Sequence, residues 1–237
     1  MSALAEVVFV LHRPRSLDNV GAVARVVKNF GLGRLVLVDP LSYSFDRARK
    51  LAVGAEDVLE RLYVHRSLAE ALAETTFSAA TTSREPARRP TISPAELGAR
   101  VAGGRGPVAI VLGEEKRGLS DAEMEPCHAI CRIATEPAQP SMNLAQSAAV
   151  LAYALHAARE PAPAAEGPPR ALQRDLDAAL LELGRALSAA GFLNPQNPGH
   201  ILGELARSWT RAGLTPREAE LWRNACRKVA DELARRR

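Results

Sequence analysis

Three polar segments, far apart in the chain, each follow an apolar stretch and carry residue types that suit ligand binding. They are SLDNVGAVARVVKNFG with Asn19 and Arg25, VAIVLGEEKRGLS with Gly113 and Glu115, and PSMNLAQS with Ser141 and Asn143. A glycine after a strand lets backbone approach a ligand closely, and the first free N–H groups of a helix favour anionic partners. The three segments therefore predict a ligand site lined largely by backbone.

Each of these residues also has an ordinary structural interpretation. Serine and asparagine at the start of a helix are most often N-caps, which stabilise the helix by about 1 kcal/mol. Arg25, taken alone, fits a solvated helix charge. The occurrence of all three segments at strand-to-helix junctions of one chain favours a single site over three unrelated surface features.

The elements that must position these segments follow an alternating pattern. Strand-like runs, separated by segments with helical spacing, are predicted at Val7–Leu11, Leu35–Val38, Phe77–Ala80, Val108–Leu112 and Ala129–Ile133. This alternation is typical of a mostly parallel sheet covered by helices. We therefore expect an α/β domain.

A helix is predicted between the first two strands. Its buried face is predicted from the spacing of Val20, Val23, Ala24, Val27 and Phe30. On other faces, the same spacing puts Arg25, Lys28 and Asn29. Asp18 or Asn19 is expected to cap the start of this helix and Gly31 to end it.

A proline-rich stretch divides the chain. Residues 159–170, REPAPAAEGPPR, suit an extended linker, so a first domain over 1–158 and a helical domain over 171–237 are predicted. In the second domain a leucine stripe from 172 to 187 predicts one helix, FLNPQNPGH a turn, and Ile201–Trp209 and Thr215–Leu233 two more helices. Thr215 with Glu218 is a good helix start. Trp209 and Trp222 are interpreted as core residues.

Charge, apolar runs and cysteines narrow the possible functions. Of the net charge of +4, the whole surplus lies in residues 170–237, with twelve Lys or Arg against eight Asp or Glu. This fits either a solvated surface or a basic module that holds nucleic acid.

No apolar run is long enough to span a bilayer and no signal peptide is evident, so we expect a cytoplasmic protein. The three cysteines, Cys127, Cys131 and Cys226, are interpreted as buried thiols, with no metal site.

The three polar segments, in the order in which they occur along the chain, resemble the motifs of the SpoU (TrmH-type) branch of the knotted RNA methyltransferases. The matching residues are Asn19-x-Gly21-x-x-x-Arg25 followed by KNFG, Gly113-x-Glu115-x-x-Gly118-Leu119, and Ser141-Met142-Asn143-Leu144. Met142 replaces the more usual leucine, an apolar exchange that should preserve packing. The resemblance covers residues 7 to about 158.

The resemblance implies a SPOUT methyltransferase domain over residues 1–158: a parallel sheet flanked by helices, with a C-terminal trefoil knot. It also implies S-adenosylmethionine as the methyl donor, an RNA partner, and a homodimer whose site is completed across the interface. At the cofactor it puts Thr81, Thr82, Ser83, Leu112, Gly113, Ile133, Ser141, Met142 and Asn143.

The catalytic residues implied by the resemblance are Arg25, Asn19, Glu115, Ser141 and Asn143. The family assigns the arginine a base role, but a guanidinium stays protonated at neutral pH. We expect Arg25 instead to stabilise the alkoxide that develops on a ribose 2′-hydroxyl and to orient the adjacent phosphate. Asn19 and Glu115 are expected to position Arg25 or ribose hydroxyls, and Ser141 and Asn143 to join the cofactor and ribose sides.

The tail, FLNPQNPGHILGELARSWTRAGLTPREAELW, is similar to that of TrmJ-type enzymes. This similarity implies 2′-O-methylation of a cytidine or uridine at position 32 of the tRNA anticodon loop, and an RNA-binding role for residues 171–237. Three alternatives stay open: another RNA site, in tRNA or ribosomal RNA; a catalytically silent RNA-binding homologue; and an α/β enzyme that acts on a small nucleotide.

Overall fold

The structure, a computed structural model, describes residues 3–42, 46–86, 89–158, 168–194 and 196–235. The chain forms two compact units, Met1–Glu166 and Gly167–Arg237. Of the predicted linker, residues 159–167 lie outside the described residues, and residues 168–170 adopt no regular secondary structure.

In the described part of the first unit, a seven-stranded sheet forms the centre. Its strands are β1 (Val7–His12), β2 (Arg34–Val38), β3 (Tyr63–His65), β4 (Phe77–Thr81), β5 (Thr91–Ile92), β6 (Val108–Leu112) and β7 (Ala129–Cys131). Their order is β3-β2-β1-β6-β4-β7-β5, and the pairings between them are parallel. The predicted parallel α/β sheet is confirmed, and the trefoil knot stays a prediction.

Helices cover both faces of the sheet. They are α1 (Leu17–Asn29), α2 (Asp46–Leu51), α3 (Glu56–Glu60), α4 (Leu68–Leu72), α5 (Pro94–Gly103), α6 (Asp121–Met124) and α7 (Leu144–Ala157). Alternate residues of a strand point to opposite faces. Accordingly, Phe9 of β1 joins one core cluster with Val23 of α1 and Leu151 of α7, whereas Val10 joins another with Leu72 of α4.

The first helix begins earlier than predicted. Its N-cap is Ser16, whose hydroxyl accepts a hydrogen bond from the backbone N–H of Asn19, so Asp18 and Asn19 lie inside the first turn. At the other end Phe30 is the C-cap and Gly31 has a left-handed φ of 64°, which confirms the predicted terminating glycine. The predicted buried face is also confirmed, and Arg25 is exposed.

Two short strands, β3 and β5, are absent from the predicted set. They contain three and two residues, which is too short to show a period of two, and Tyr63 and Val64 of β3 are exposed. The predicted strand Ala129–Ile133 is too long, because β4 and β5 end at Thr81 and Ile92, the residues that pair with Cys131.

The second unit contains three helices in its described residues. They are α8 (Gln173–Ala189), α9 (Pro198–Ala212) and α10 (Pro216–Arg235), so α9 begins inside the segment predicted as a turn. The hydroxyl of Thr215 accepts a hydrogen bond from the N–H of Glu218, and the Glu218 carboxylate accepts one from the N–H of Thr215. This reciprocal pair confirms the predicted start of α10.

The two tryptophans of the second unit differ in burial. Trp209 is 8% exposed, as predicted for a core residue, whereas Trp222 is 45% exposed. Their rings lie in contact, with centroids 5.3 Å apart. The prediction that both are core residues is wrong for Trp222. The packed side of α10 contains the buried residues Ala219 and Cys226, and Trp222 lies at the edge of that side.

Candidate active site

The three sequence motifs meet at one edge of the sheet. Asn19 lies in α1 after β1, Glu115 lies in the loop after β6, and Asn143 precedes α7 after β7. In a parallel sheet the carboxyl ends of the strands share one edge, and this is where α/β proteins bind ligands. Hydrogen bonds between side chains join the three motifs at this edge.

A chain of side-chain hydrogen bonds joins Glu115, Asn19 and Asn143, and we call it the amide relay. The Asn19 amide nitrogen donates to Glu115 Oε1 at 3.0 Å, and the Asn143 amide nitrogen donates to Asn19 Oδ1 at 3.1 Å. One residue from each motif therefore takes part in a single network, so the structure brings the three segments together.

Glu115 also holds the backbone that enters α1. Its carboxylate accepts hydrogen bonds from the N–H groups of Arg15 and Ser16 at 2.8 and 2.9 Å. Burial opposes ionisation of Glu115, but the hydrogen bonds from Asn19 and these two N–H groups outweigh it and hold the pKa of the carboxyl below its ordinary value. The carboxylate is thus ionised at neutral pH and fixed in position.

Asn143 has two roles at once. Its Oδ1 caps α7 by accepting hydrogen bonds from the N–H groups of Ala145 and Gln146 at 2.8 and 3.3 Å, while its amide nitrogen serves the relay. The N-cap interpretation of this residue is therefore confirmed, and its role in the site stays a prediction. Ser141 lies two residues earlier, is exposed, and does not cap the helix.

A cavity of about 300 Å³ adjoins the relay, since Glu115 belongs to both. It is bounded by the ends of β4 and β6, by the loop after β6, and by the segment that precedes α7. Eight of the nine residues predicted at the cofactor line it: Thr81, Thr82, Ser83, Leu112, Gly113, Ile133, Ser141 and Met142. Asn143 is absent from this lining, and neither Asn19 nor Arg25 contributes to it.

The fold itself requires a glycine at position 113, in addition to the predicted approach of a ligand. A Cβ at this position would lie 2.4 Å from the carbonyl carbon of Gly118 and 2.5 Å from the N atom of Leu119. The close approach is therefore made by the chain's own loop, which folds back so that the Gly118 N–H donates to the Glu114 carbonyl at 2.7 Å. Gly118 itself has a left-handed φ of 67°.

Glu114, which sequence reasoning missed, is the buried carboxylate of the site. It is 7% exposed, and it accepts hydrogen bonds from Arg15 Nη1 at 2.6 Å and from Arg117 Nε at 3.2 Å. These two partners hold the pKa of Glu114 below its ordinary value. Because Glu114 and Glu115 bind neighbouring residues at the entrance of α1, the two glutamates together tie the β6 loop to that helix.

A third carboxylate continues the network. Glu123 of α6 accepts two hydrogen bonds from the Arg117 guanidinium, at 2.6 and 3.2 Å, and one from the Ser120 N–H at 2.7 Å. Burial opposes its ionisation, but these donors outweigh that effect and lower the pKa of Glu123 to about 2. Its Oε1 lies 3.6 Å from Nδ1 of His12, whose pKa is lowered mainly by burial.

Arg25 projects from α1 without a fixed partner. Its side chain is exposed, and it makes no hydrogen bond or ion pair with any residue that the structure describes. This is the state expected of a cation that acts on a substrate, and equally of a solvated charge.

The cysteines contribute no reactive group to the site. All three are free and buried, and burial raises the pKa of Cys127 and Cys131 to about 12. Within the described ranges there is no group of three or more His, Cys, Asp or Glu side chains placed to hold a metal ion. The helices found in those same ranges include none that is long and apolar enough to cross a membrane.

Residues 6–153 match the SpoU rRNA Methylase family. The chain belongs to this family. The tRNA (cytidine/uridine-2′-O-)-methyltransferase TrmJ of Cronobacter sakazakii is 35% identical over 230 residues, which cover 93% of this chain and 94% of that protein. The TrmJ of Klebsiella pneumoniae is 33% identical over 239 residues, with 97% and 98% covered.

Solved structures show the same SpoU-family fold. The crystal structure of TrmJ from Z. mobilis ZM4 superimposes with a TM-score of 0.83 at 28% identity, covering 94% of this chain and 98% of that one. A probable methylase family protein from Haemophilus influenzae Rd KW20 gives a TM-score of 0.64 at 25% identity, covering 99% and 100%. The predicted family, fold class and enzyme class, an RNA methyltransferase that uses S-adenosylmethionine, are confirmed.

The cavity residues fit the methyl donor of this family. Leu112, Ile133 and Met142 offer apolar surface for an adenine ring. The hydroxyls of Ser83, Ser141 and Ser147 line the same cavity and have no hydrogen-bond partner among the described residues, so they are available to polar groups of a ligand. When bound, S-adenosylmethionine supplies an electrophilic methyl group on a sulfonium.

Proposed function

We propose that this protein methylates the ribose 2′-hydroxyl of a tRNA nucleotide, with S-adenosylmethionine as the methyl donor. The observation that carries the proposal is the amide relay, which joins one residue from each of the three motifs beside the cavity. The names of its relatives from Cronobacter sakazakii and Klebsiella pneumoniae, which specify 2′-O-methylation of tRNA cytidine and uridine, support this substrate.

The side chains divide the work between fixing geometry and supplying charge. Glu115 and Asn143 hold the Asn19 side chain from its two ends, so its position beside the cavity is set before a substrate arrives. Such preorganisation reduces the reorganisation needed in the transition state. Arg25, which has no fixed partner in the described chain, remains available to stabilise the developing 2′-alkoxide and to orient the adjacent phosphate.

The cofactor and substrate sides of the site are separate in this proposal. The eight predicted cofactor residues that line the cavity hold the methyl donor, together with Asn143 at its margin. Ser141 contributes to this wall a hydroxyl that has no hydrogen-bond partner among the described residues. Arg25 lies outside the cavity lining and meets the ribose instead.

Residues 171–237 are proposed to act as an RNA-binding domain behind the linker 159–170. The support is their surplus of positive charge, together with relatives whose similarity extends over 93% or more of this chain. The target is proposed to be position 32 of the anticodon loop. Ribosomal RNA is the second candidate, because the matching family is named for it.

A homodimer in the cytoplasm completes the proposal. On α7, Tyr153 is 64% exposed although its helix is largely apolar, and Val150 beside it is only half-buried. Exposed aromatic side chains on apolar surfaces are typical of interfaces. Sedimentation of the wild type and of Tyr153→Asp tests this: a monomeric wild type would overturn the homodimer.

Methyl transfer from labelled cofactor to bulk tRNA, followed by mapping of 2′-O-methyl sites, tests the function. We expect label at position 32 with the wild type. Arg25→Ala is expected to abolish transfer while calorimetry shows cofactor binding nearly unchanged. Arg100→Ala, which removes another exposed helix arginine of the first unit, serves as the matched control and should retain activity. Label only in ribosomal RNA would overturn the tRNA assignment.

A further inference from the structure

Most of the charged side chains that line the cavity have partners within the protein. Glu114 binds Arg15 and Arg117, and Glu115 binds Asn19 and two backbone N–H groups. Arg117 additionally donates to Glu123 through Nη1 and Nη2 of its guanidinium. These groups are committed to holding the loop after β6.

Two further cations line the same cavity. Arg84 is fixed, because its Nη2 donates to the Leu119 carbonyl at 2.5 Å, which directs the guanidinium at the loop. Lys116 is exposed and makes no hydrogen bond or ion pair with any residue in the described part of the chain. Among the described residues that line the cavity, Lys116 is thus the cation left without a fixed partner.

The position of Lys116 is informative. It directly follows Glu115, whose carboxylate ends the amide relay, so its backbone is held at the place where cavity and relay meet. A lysine side chain is a mobile point charge with three donors, which suits an anion that arrives with the substrate. Because the side chain is exposed, a ligand that approaches from solvent can reach it without entering the cavity.

The proposed substrate brings such an anion. Every internal ribose 2′-hydroxyl of RNA is a neighbour of the phosphate attached through the adjacent 3′-oxygen, and phosphate contacts fix the register of a bound strand. We propose that Lys116 binds a backbone phosphate of the RNA next to the target nucleotide. This inference rests on the proposed function. Lys116 contacts the RNA on the side of the cavity, whereas Arg25 lies outside the cavity lining.

The test compares Lys116→Ala and Lys116→Arg with the wild type, using purified tRNA. For Lys116→Ala we expect the KM for tRNA to rise about fivefold, and the slope of log binding constant against log salt to become shallower by about 0.7, the change for one contact to a single strand. The KM for S-adenosylmethionine and kcat should stay within about twofold, and Lys116→Arg should restore the KM for tRNA because it keeps the charge.

Lys50→Ala is the matched control, because it removes the same charge from an exposed position on α2 that does not line the cavity. An unchanged salt slope in Lys116→Ala, or an equal loss in Lys50→Ala, would overturn the inference. A raised KM for S-adenosylmethionine with an unchanged KM for tRNA would overturn it as well and assign Lys116 to the cofactor carboxylate. If the wild type transfers no methyl group, the proposed function fails, and tRNA binding by fluorescence anisotropy still tests Lys116.

Discussion

The amide nitrogen of Asn143 donates to the side-chain oxygen of Asn19 across 3.1 Å, although 124 residues separate them in sequence. The same asparagine caps α7 through its oxygen. The start of α7 and the first turn of α1 are therefore joined by one side chain. Any change at Asn143 acts on a helix cap and on the relay together, unless the substitution is chosen to separate them.

Asn143→Asp and Asn143→Ala separate the two roles. Aspartate keeps the cap, because a carboxylate accepts the N–H groups of the first turn, but it cannot donate to Asn19. We expect Asn143→Asp to retain the wild-type free energy of unfolding and to lose most of its kcat. Asn143→Ala should lose about 1 kcal/mol of stability in addition, measured by urea unfolding. Full activity in Asn143→Asp would show that the relay has no catalytic role.

Gly113→Ala tests the loop that folds back after β6. Its Cβ would lie 2.4 Å from the Gly118 backbone, so the cavity wall must shift. We expect reduced cofactor affinity by calorimetry and a free energy of unfolding lowered by about 1–3 kcal/mol. Gly199→Ala in α9 is the control, because no atom lies within 4 Å of its added Cβ, and it should be neutral or stabilising. Equal behaviour of the two variants would contradict this account.

A double-mutant cycle measures the contact between Glu114 and Arg15. Glu114→Gln should lower the free energy of unfolding by about 1–3 kcal/mol, because a buried acceptor of charged donors is weakened. The coupling of Glu114 with Arg15 should exceed that of Asp18 with Arg47, an ion pair on the surface. A coupling no larger than that of the surface pair would mean that burial of Glu114 adds nothing to this contact.

The pH dependence of stability follows from Glu123. Its folded-state pKa of about 2 lies below the ordinary value of 4.5, so its contribution is fully present above pH 4.5 and is lost as the pH falls towards 2. The wild type should therefore lose more stability between pH 5 and pH 3 than Glu123→Gln does, as measured by urea unfolding. Glu136→Gln, on the exposed loop before α7, is the control and should keep the wild-type pH slope. Identical slopes for wild type and Glu123→Gln would contradict the assignment.

The sequence predicted the strands that carry the motifs well, because a local pattern of apolar residues reports burial. Apolar runs located β1, β2, β4 and β6, and the parallel arrangement then explains why Asn19, Glu115 and Asn143 meet. Contacts between charged side chains have no such local signal. Arg15 and Glu114 are 99 residues apart, and neither residue's surroundings predict the other, so their hydrogen bond could not be foreseen.

Two further differences have physical causes that lie outside any local window. The returning backbone of Gly118 requires a glycine at position 113, and only the three-dimensional loop shows this. The burial of Trp222 depends on which edge of α10 meets α8 and α9, whereas helical spacing gives only a stripe. In contrast, the capping pair Thr215 and Glu218 is local, and it was predicted correctly.

The relay sets how much of the chain must be synthesised before the three motifs can be joined. Its two hydrogen bonds close loops of 96 and 124 residues, and the later one needs Asn143. All seven strands of the described sheet precede Asn143 in the chain. A nascent chain that ends before Asn143 contains every strand of the described sheet, and Glu115 can already bind Asn19, but the third motif is missing. The complete relay therefore requires a chain that extends at least to Asn143, beyond the last strand of the described sheet.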